Sequence, residues 1–326
     1  MFGNSRGRAG SRLSDDTQGK HKVDDARSRS QLLLLLFCAT IAAGFITAQY
    51  VYIWVQKFEG EIQIVKNLGG AAASVKAAGV RNYLVVAIDS RLRDYLVSEG
   101  NNVYYRDVKV DKAQEGTGDN HAISALKFKI IQEFLELGWN VLLSDVDVIV
   151  VQDPFKHLFR DHDVEGMSDG FDPATAYGNI NGLDDPSMGW SRYAQGTTHL
   201  NLNSGLFYIQ ANVRTIDLMK RIAARLAREK AWDQSVFNEE IFFLSHGNYK
   251  NPGVTIRVMD IYMFMNSKVL FRTVRFQQPS EQVKPVMVHI NYHPDKLERA
   301  RAAFRYFVGG DSTALREFPG GSEPGS

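Results

Sequence analysis

Leu142-Leu143-Ser144-Asp145-Val146-Asp147-Val148-Ile149-Val150-Val151 sets two carboxylates, two positions apart, in an otherwise apolar run. Its β-branched content suits a buried strand, and strand-like and helix-like segments alternate on either side of it, so it reads as a strand of an α/β sheet. In an extended chain Asp145 and Asp147 point to the same face, with Cα atoms about 6.6 Å apart. Two like charges so placed in a buried setting repel each other and lose hydration, and a divalent cation relieves both problems. A solvated aspartate pair at a turn is the bland alternative. Asp161-His162-Asp163 has the same spacing but lies in a polar stretch where nothing forces burial.

Upstream, the apolar residues 82–88 precede Asp89-Ser90, a helix-start signal, and an amphipathic stretch that stops at Gly100. Residues 102–108 offer a second strand, and Ile123, Leu126, Ile130, Phe134 and Leu137 recur at helical spacing up to a stop at Gly138. Downstream, residues 205–209 read as a strand and Leu218, Ile222 and Leu226 as a helix stripe. Residues 254–258 and 285–290 are further strands, and Pro294 suits the first turn of a last helix reaching Val308. This alternation predicts a Rossmann-type, mostly parallel sheet flanked by helices, with ligands bound outside the carboxyl ends of the strands. Asp145 and Asp147 are placed at such an end. Residues 161–202, rich in Gly, Asp, Asn and aromatics, read as substrate-site loops with short helices.

The 326-residue chain has a formal net charge of +1, which gives no reason to expect nucleic acid as a partner. Its single cysteine, Cys38, excludes an intrachain disulfide and a thiolate zinc cluster. Residues 31–55, QLLLLLFCATIAAGFITAQYVYIWV, carry no charge and are long enough to cross a bilayer as one helix. Tyr50, Tyr52 and Trp54 gather at its C-terminal end, and Arg27 and Arg29 flank its start, which predicts a cytoplasmic N-terminus. A cleaved signal peptide is the competing reading, for which the run is too long and starts too late. The expected organisation is a disordered cytoplasmic tail over 1–30, a transmembrane anchor over 31–55, a stem over 56–79 and a luminal domain over 80–326.

Several side chains are candidates for the same site. Carboxylate ligands favour Mg²⁺ or Mn²⁺ over zinc, and a metal held by two of them with open positions left suits a diphosphate. His289, in a strand-like run, could add an imidazole, although a strand-end histidine is often structural and His293 competes for the role. Lys296 offers a point charge to phosphate or is simply solvated. Lys127, at the edge of the stripe before the acidic strand, reaches a phosphate or snorkels to water. Asn203-Ser204-Gly205 suits close approach of a sugar hydroxyl or a plain turn, and Asp233-Gln234 opens a helix that Asp233 would cap. There is no phosphate-binding loop, dinucleotide fingerprint or His-Glu-x-x-His. Gly166-Met167-Ser168-Asp169-Gly170 spells a nucleophile elbow, but Phe171-Asp172-Pro173 follows where that motif needs a helix.

The blocks Leu143-Ser144-Asp145-Val146-Asp147, Gln152-Asp153-Pro154-Phe155, Asn203-Ser204-Gly205, Trp232-Asp233-Gln234 with Phe237-Asn238-Glu239, Met263 to Lys268, and His289 to Lys296 occur in that order. Together they resemble the plant nucleotide-diphospho-sugar transferases that include the extensin arabinosyltransferases of the reduced-residual-arabinose group. The resemblance implies a GT-A fold, a Golgi type II membrane enzyme, and metal-dependent transfer with retention of anomeric configuration. It implies UDP-β-L-arabinofuranose as donor and a hydroxyproline-linked arabinose of a cell-wall glycoprotein as acceptor. Carried over by position, Asp145, Asp147 and His289 hold Mn²⁺ or Mg²⁺, Asp233 and Gln234 join the two aspartates in catalysis, and Lys127, Asp169, Asn203 and Lys296 contact the UDP-sugar. Ser168-Asp169-Gly170 and Gly189-Trp190 resemble further pocket blocks. Tyr292 and Asp295 depart from the His-x-x-Gly-x-x-Lys pattern of related retaining transferases, which leaves His289 against His293 open. A UDP-xylose or UDP-galactose transferase, a nucleotide-sugar hydrolase and an anchored sugar-binding protein are the alternatives.

Overall fold

Strands and helices alternate through most of the computed structural model, which describes residues 51–56, 71–107, 109, 111–115, 119–177, 179–181, 196–198, 201–242, 252–278, 281–293 and 295–321. In chain order these residues form β1 (Val51–Gln56), α1 (Ala71–Ala77), β2 (Leu84–Ala87), α2 (Ser90–Ser98), β3 (Val103–Tyr105), α3 (Asp119–Glu136), β4 (Asn140–Asp145) and β5 (Val148–Val150). There follow β6 (Val164–Ser168), α4 (Pro173–Tyr177), β7 (Asn179–Asn181), β8 (Gly196–Thr198), β9 (Leu202–Ile209), α5 (Val213–Leu226) and α6 (Asp233–Phe242). The last elements are β10 (Ile256–Val258), β11 (Phe264–Asn266), α7 (Ser267–Arg272), β12 (Met287–His289) and α8 (Lys296–Phe307).

The local signals act as their chemistry requires. The Asp89 carboxylate accepts the Leu92 amide at 2.7 Å and starts α2. Gly138, at φ +82°, closes α3 in the left-handed region, with the Trp139 amide bonded back to the Phe134 carbonyl at 3.0 Å. The chain then enters β4 directly. Asn212 caps α5 through a reciprocal pair with Thr215.

The main sheet has seven strands in the order β10-β6-β9-β4-β1-β2-β3, and a second sheet has the order β11-β12-β5. The main sheet is mixed rather than mostly parallel: β10–β6 and β2–β3 pair parallel, whereas β6–β9, β9–β4, β4–β1 and β1–β2 pair antiparallel. A strand buried on both faces reads as a continuous apolar run whichever way it points, so the pattern gave its existence and not its direction. Val51–Gln56 is a further departure. These residues include the last five of the run read as a transmembrane helix, yet they pair as a strand between β2 and β4. Alternating β-branched and aromatic residues favour that state once a sheet edge is at hand. Residues 31–50 lie outside the described residues, and no helix among the described residues is long and apolar enough to cross a membrane.

Side chains alternate across the sheets to build three layers of core. Val141, Leu143, Phe207 and Ile209 face Phe128, Ile131, Leu218 and Phe237 of α3, α5 and α6. The Phe207 and Phe237 rings stack with centroids 4.8 Å apart. Leu142, Leu206 and Tyr208 point the other way, toward Val148, Val150, Phe264 and Met287 of the small sheet. The far side of that sheet, Ile149, Met265 and Val288, is closed by Leu270, Phe271, Ala302 and Ala303 of α7 and α8. Each fully buried Leu or Phe contributes about 1.5–3 kcal/mol, so these layers fix the sheets against one another. Within the stretch read as a stem, Val75 joins the core and the Ser74 hydroxyl accepts the Val150 amide at 2.9 Å. The segment read as loops holds β6, wholly buried. Its Glu, Gly and Ser hid it from an apolar pattern, and Glu165 is compensated there by the Phe159 and Arg160 amides.

Asp163 ties three elements together just before β6. It accepts from Arg214 Nε at 2.8 Å, Asn212 Nδ2 at 2.7 Å and the Thr255 amide at 2.9 Å. Burial pushes its carboxyl up, but the Arg214, Thr255 and Asn212 donors outweigh that and hold it at about 2. The folded-state value lies below the unfolded one, so the stabilisation is complete above about pH 4 and is lost as pH falls toward the folded value. Asp163→Asn is expected to lower stability at pH 7 by about 2 kcal/mol in urea unfolding. The gap from wild type should close as pH is taken down from 4 toward 2.

Candidate active site

The acidic stretch is two strands joined by a turn. Asp145 ends β4 in the main sheet, Val146-Asp147 turn, and Val148 opens β5 in the small sheet. The two carboxylates therefore do not share the face of one extended strand. They converge because the chain bends between sheets, which explains the apolar Val148–Val151 beyond them. Pairing of His289 with Val148, and of the Ile290 amide with the Asp147 carbonyl at 2.8 Å, brings β12 alongside the turn. Ligand atoms of Asp145, Asp147 and His289 then lie within 4.8 Å of one another.

Gly205 is what allows that approach. Antiparallel pairing of β9 with β4 sets Leu206 opposite Ser144, and Gly205 falls beside Asp145. A Cβ at Gly205 would stand 2.4 Å from Asp145 Oδ2 and 2.8 Å from His289 Cε1. The glycine thus makes room for the two side chains, where the sequence reading gave it to a sugar hydroxyl.

Charge at the turn is strongly compensated. His289 Nε2 lies 2.9 Å from Asp147 Oδ1, and Lys296 Nζ, from the first residue of α8, donates to Asp147 Oδ2 at 2.6 Å. Burial opposes ionisation of Asp147, but His289 and Lys296 outweigh it and hold the carboxyl well below the usual range. Burial pushes Asp145 up, Lys127 pulls it down, and the neighbouring Asp147 charge pushes it up again, for a net rise. Burial likewise pulls the Lys296 ammonium down, and Asp147 more than reverses this. A carboxylate pair with an adjoining imidazole, in space that a single Cβ would fill, fits a divalent cation. His293 lies elsewhere: it is buried, its Nδ1 is 2.9 Å from Ser267 Oγ, and its ring meets Phe271 edge-on.

Asp145, Asp147, Gly205, His289 and Lys296 line a cavity of about 350 Å³ together with Ser124, Asp169, Asn203, Ser204, Asp233 and Gln234. Asp169 accepts three carboxamide donors: Asn203 Nδ2 at 2.8 Å, Gln234 Nε2 at 2.5 Å and Asn291 Nδ2 at 3.0 Å. Burial raises its pKa, since amides stabilise the anion less than a cation would. The Gln234 and Asn203 oxygens accept the Ser204 and Gly205 amides at 3.2 and 2.8 Å, so both amides are fixed in orientation. Asn238 doubly bonds the Leu202 backbone and holds α6 on β9.

Lys127 and Asp233 form a buried pair at 2.8 Å. Asp233 Oδ2 also accepts the Ser124 and Ser204 hydroxyls at 3.1 and 3.0 Å. Burial pulls Lys127 down, but Asp233 and Asp145 raise it overall, and the ammonium stays paired. Lys127 neither snorkels nor lines the cavity; it sits behind Asp233. Asp233 likewise spends its carboxylate on this network instead of capping α6. Trp232, Asn291 and Tyr292 entered the sequence reading only as members of the ordered blocks, with no role given, and Ser124 was not singled out, although it stands one helical turn before Lys127. Gly189 and Trp190 lie outside the described residues.

The nucleotide-diphospho-sugar transferase family matches residues 78–300. The chain is 51% identical to arabinosyltransferase RRA2 of Arabidopsis thaliana over 254 residues, covering 77% of this chain and 59% of that protein. It is 46% identical to arabinosyltransferase RRA1 of the same plant over 253 residues, covering 77% and 62%. A more distant relative, Arabidopsis UDP-D-xylose:L-fucose alpha-1,3-D-xylosyltransferase 1, is 26% identical over 163 residues, covering 49% and 42%. The chain thus spans about six tenths of the length of the two arabinosyltransferases. Its family match runs across the acidic turn, the carboxamide cluster around Asp169 and the β12 histidine, and on that ground the chain belongs to the nucleotide-diphospho-sugar transferase family.

Proposed function

We propose that this chain is a glycosyltransferase with a GT-A-like fold that moves arabinofuranose from UDP-arabinofuranose to a hydroxyproline-linked arabinoside of a cell-wall glycoprotein such as an extensin, retaining anomeric configuration. The observation that carries the reading is the convergence of Asp145, Asp147 and His289 within 4.8 Å, in a cavity whose remaining lining is rich in hydroxyl-reading groups. The similarity to two arabinosyltransferases favours arabinose, whereas the likeness to a xylosyltransferase and a galactosyltransferase keeps UDP-xylose and UDP-galactose as the second reading.

Asp145, Asp147 and His289 are the residues that would hold Mn²⁺ or Mg²⁺. What the cation supplies when bound is charge neutralisation on the departing diphosphate. Lys296 adds a fixed positive charge beside it. Asn203, Gln234 and Asp169 orient the donor sugar through its hydroxyls. Asp233 is held under Lys127, Ser124 and Ser204, and Gln234 is an amide, so neither is free to form a covalent sugar ester. That arrangement favours attack of the acceptor hydroxyl from the face that UDP leaves, its proton passing to the departing phosphate oxygen. We place the domain in the Golgi lumen, on a type II anchor within residues 31–50, which carry no charge and have the length of a membrane-spanning helix.

A panel of UDP-sugars with Mn²⁺ and hydroxyproline-arabinoside is expected to show transfer from UDP-arabinofuranose that chelation abolishes and added Mn²⁺ restores. Label recovered only as free monosaccharide would make the protein a hydrolase instead. Asp147→Asn and Gly205→Ala should each lower transfer by about a hundredfold or more, a loss typical of a missing electrostatic element. Both should weaken Mn²⁺ binding in calorimetry while circular dichroism stays native, and full activity in either folded variant would sink the site assignment. In sealed vesicles, protease added outside should leave the catalytic domain intact; its digestion would place it on the cytosolic side.

A further inference from the structure

We propose that Asn291 is a specificity-determining residue whose side-chain oxygen accepts a hydrogen bond from a hydroxyl group of the saccharide bound in the cavity. This deepens the transferase reading above and rests on it. Among the described residues, Asn291 Oδ1 is buried and meets no hydrogen-bond donor, although Asn291 lines the cavity. Of the described cavity-lining residues only His289 shares that condition, at its Nδ1, and His289 belongs to the acidic turn. A buried carbonyl oxygen left without a donor costs free energy, so its place in the cavity wall marks a point where a ligand donor is needed.

Turning the amide over does not relieve that oxygen. Asn291 Nδ2 donates to Asp169 Oδ1 at 3.0 Å, and both oxygens of Asp169 already accept, from Asn203 Nδ2 at 2.8 Å and Gln234 Nε2 at 2.5 Å. A flipped Asn291 would therefore bring acceptor against acceptor. The three carboxamides on Asp169 differ in what they do with their oxygens. Asn203 and Gln234 spend theirs on the Gly205 and Ser204 amides at 2.8 and 3.2 Å, whereas that of Asn291 meets no such amide. Two of them brace β9, and the third presents an acceptor. Its support is firm, because the Tyr292 hydroxyl donates to the Asp169 carbonyl at 2.7 Å and so ties the chain after β12 to Asp169 a second time.

The chemistry of the oxygen selects its ligand. It reads an O–H or N–H group, and an ionised diphosphate, which carries acceptors only, cannot satisfy it. The cation has its own donor set in Asp145, Asp147 and His289, whose ligand atoms lie within 4.8 Å of one another. Asn291 is bonded instead to Asp169, among the groups assigned to sugar hydroxyls. A saccharide carries hydroxyls around its ring, and a site built to bond one of them rejects the analogue that lacks it. The transferred sugar and the acceptor sugar offer the same group, and the two arms of the test tell them apart.

The test is calorimetric binding of single-deoxy sugars to the full chain with Mn²⁺, in the wild type, Asn291→Ala and Asn291→Ser. One arm titrates UDP-arabinofuranose and its deoxy analogues, and the other titrates methyl arabinofuranoside and its deoxy analogues in the presence of UDP. In the wild type, removing one particular hydroxyl in one arm is expected to weaken binding about tenfold or more, because the oxygen is then left unpaired. In Asn291→Ala the same deoxygenation should change Kd by less than about twofold, and Asn291→Ser, which keeps a shorter acceptor, should fall between. Loss of support for Asp169 alone would weaken every sugar alike and leave that ratio as in the wild type, so the ratio separates reading a hydroxyl from bracing the site. Three results would each overturn the proposal: a wild type indifferent to every deoxygenation, whose oxygen is then held by water; a ratio unaltered in both variants; or an Asn291→Ala loss that falls equally on UDP alone or on Mn²⁺. A wild type that discriminates deoxy sugars through Asn291 but transfers sugar to no acceptor would sink the transferase reading and leave the role of Asn291 standing.

Discussion

The site depends on one constraint: the chain must leave the main sheet and enter the small one within the two residues Val146 and Asp147. The turn puts Asp145 at the end of the central strand of the main sheet and Asp147 immediately before β5, an outer strand of the small sheet. The strand residues nearest the two carboxylates come from strands paired with one of those two. β9 brings Gly205 and the carboxamide of Asn203 against β4, and β12 brings His289 against β5. The three core layers matter to the chemistry because they set the angle between the two sheets, and so the distances between oxygens and imidazole.

The buried charges follow a single pattern in which each carboxylate has a different kind of partner. Asp233 has an ammonium and two hydroxyls, Asp169 has three carboxamides, Asp147 has an imidazole and a half-exposed ammonium, and Asp145 has only the charges of Lys127 and His289 nearby. The gradient runs from full compensation behind the cavity to least compensation where a cation would sit. A buried carboxylate without a close cation is costly, and the position of that deficit marks where a ligand is needed.

Legibility in the sequence tracked how local each cause was. Asp89 and Gly138 act through their own backbone neighbours, and both were readable as helix signals. Two aspartates in an apolar run pointed to a candidate cation site, and the ordered blocks announced the family. Strand direction was not readable, because Leu202–Ile209 is buried along its whole length and has the same pattern either way round. The break between β4 and β5 was hidden because it has no glycine or proline and is apolar on both sides, so its aspartates, though turn formers, read as ligands on one continuous strand. β6 was missed because its Glu165 is satisfied by backbone amides several residues earlier in the chain. Choosing His289 over His293 required the partner strand and the Ser267–Phe271 surroundings, neither of which is adjacent in sequence.

The contact between Lys296 and Asp147 has a consequence for how far the turn depends on the rest of the chain. Lys296 is a resident counter-ion for Asp147 and the first residue of α8, so an acidic turn in the middle of the sequence draws on the last helix for part of its charge balance. A change that displaces α8 therefore reaches the turn electrostatically, without touching either aspartate.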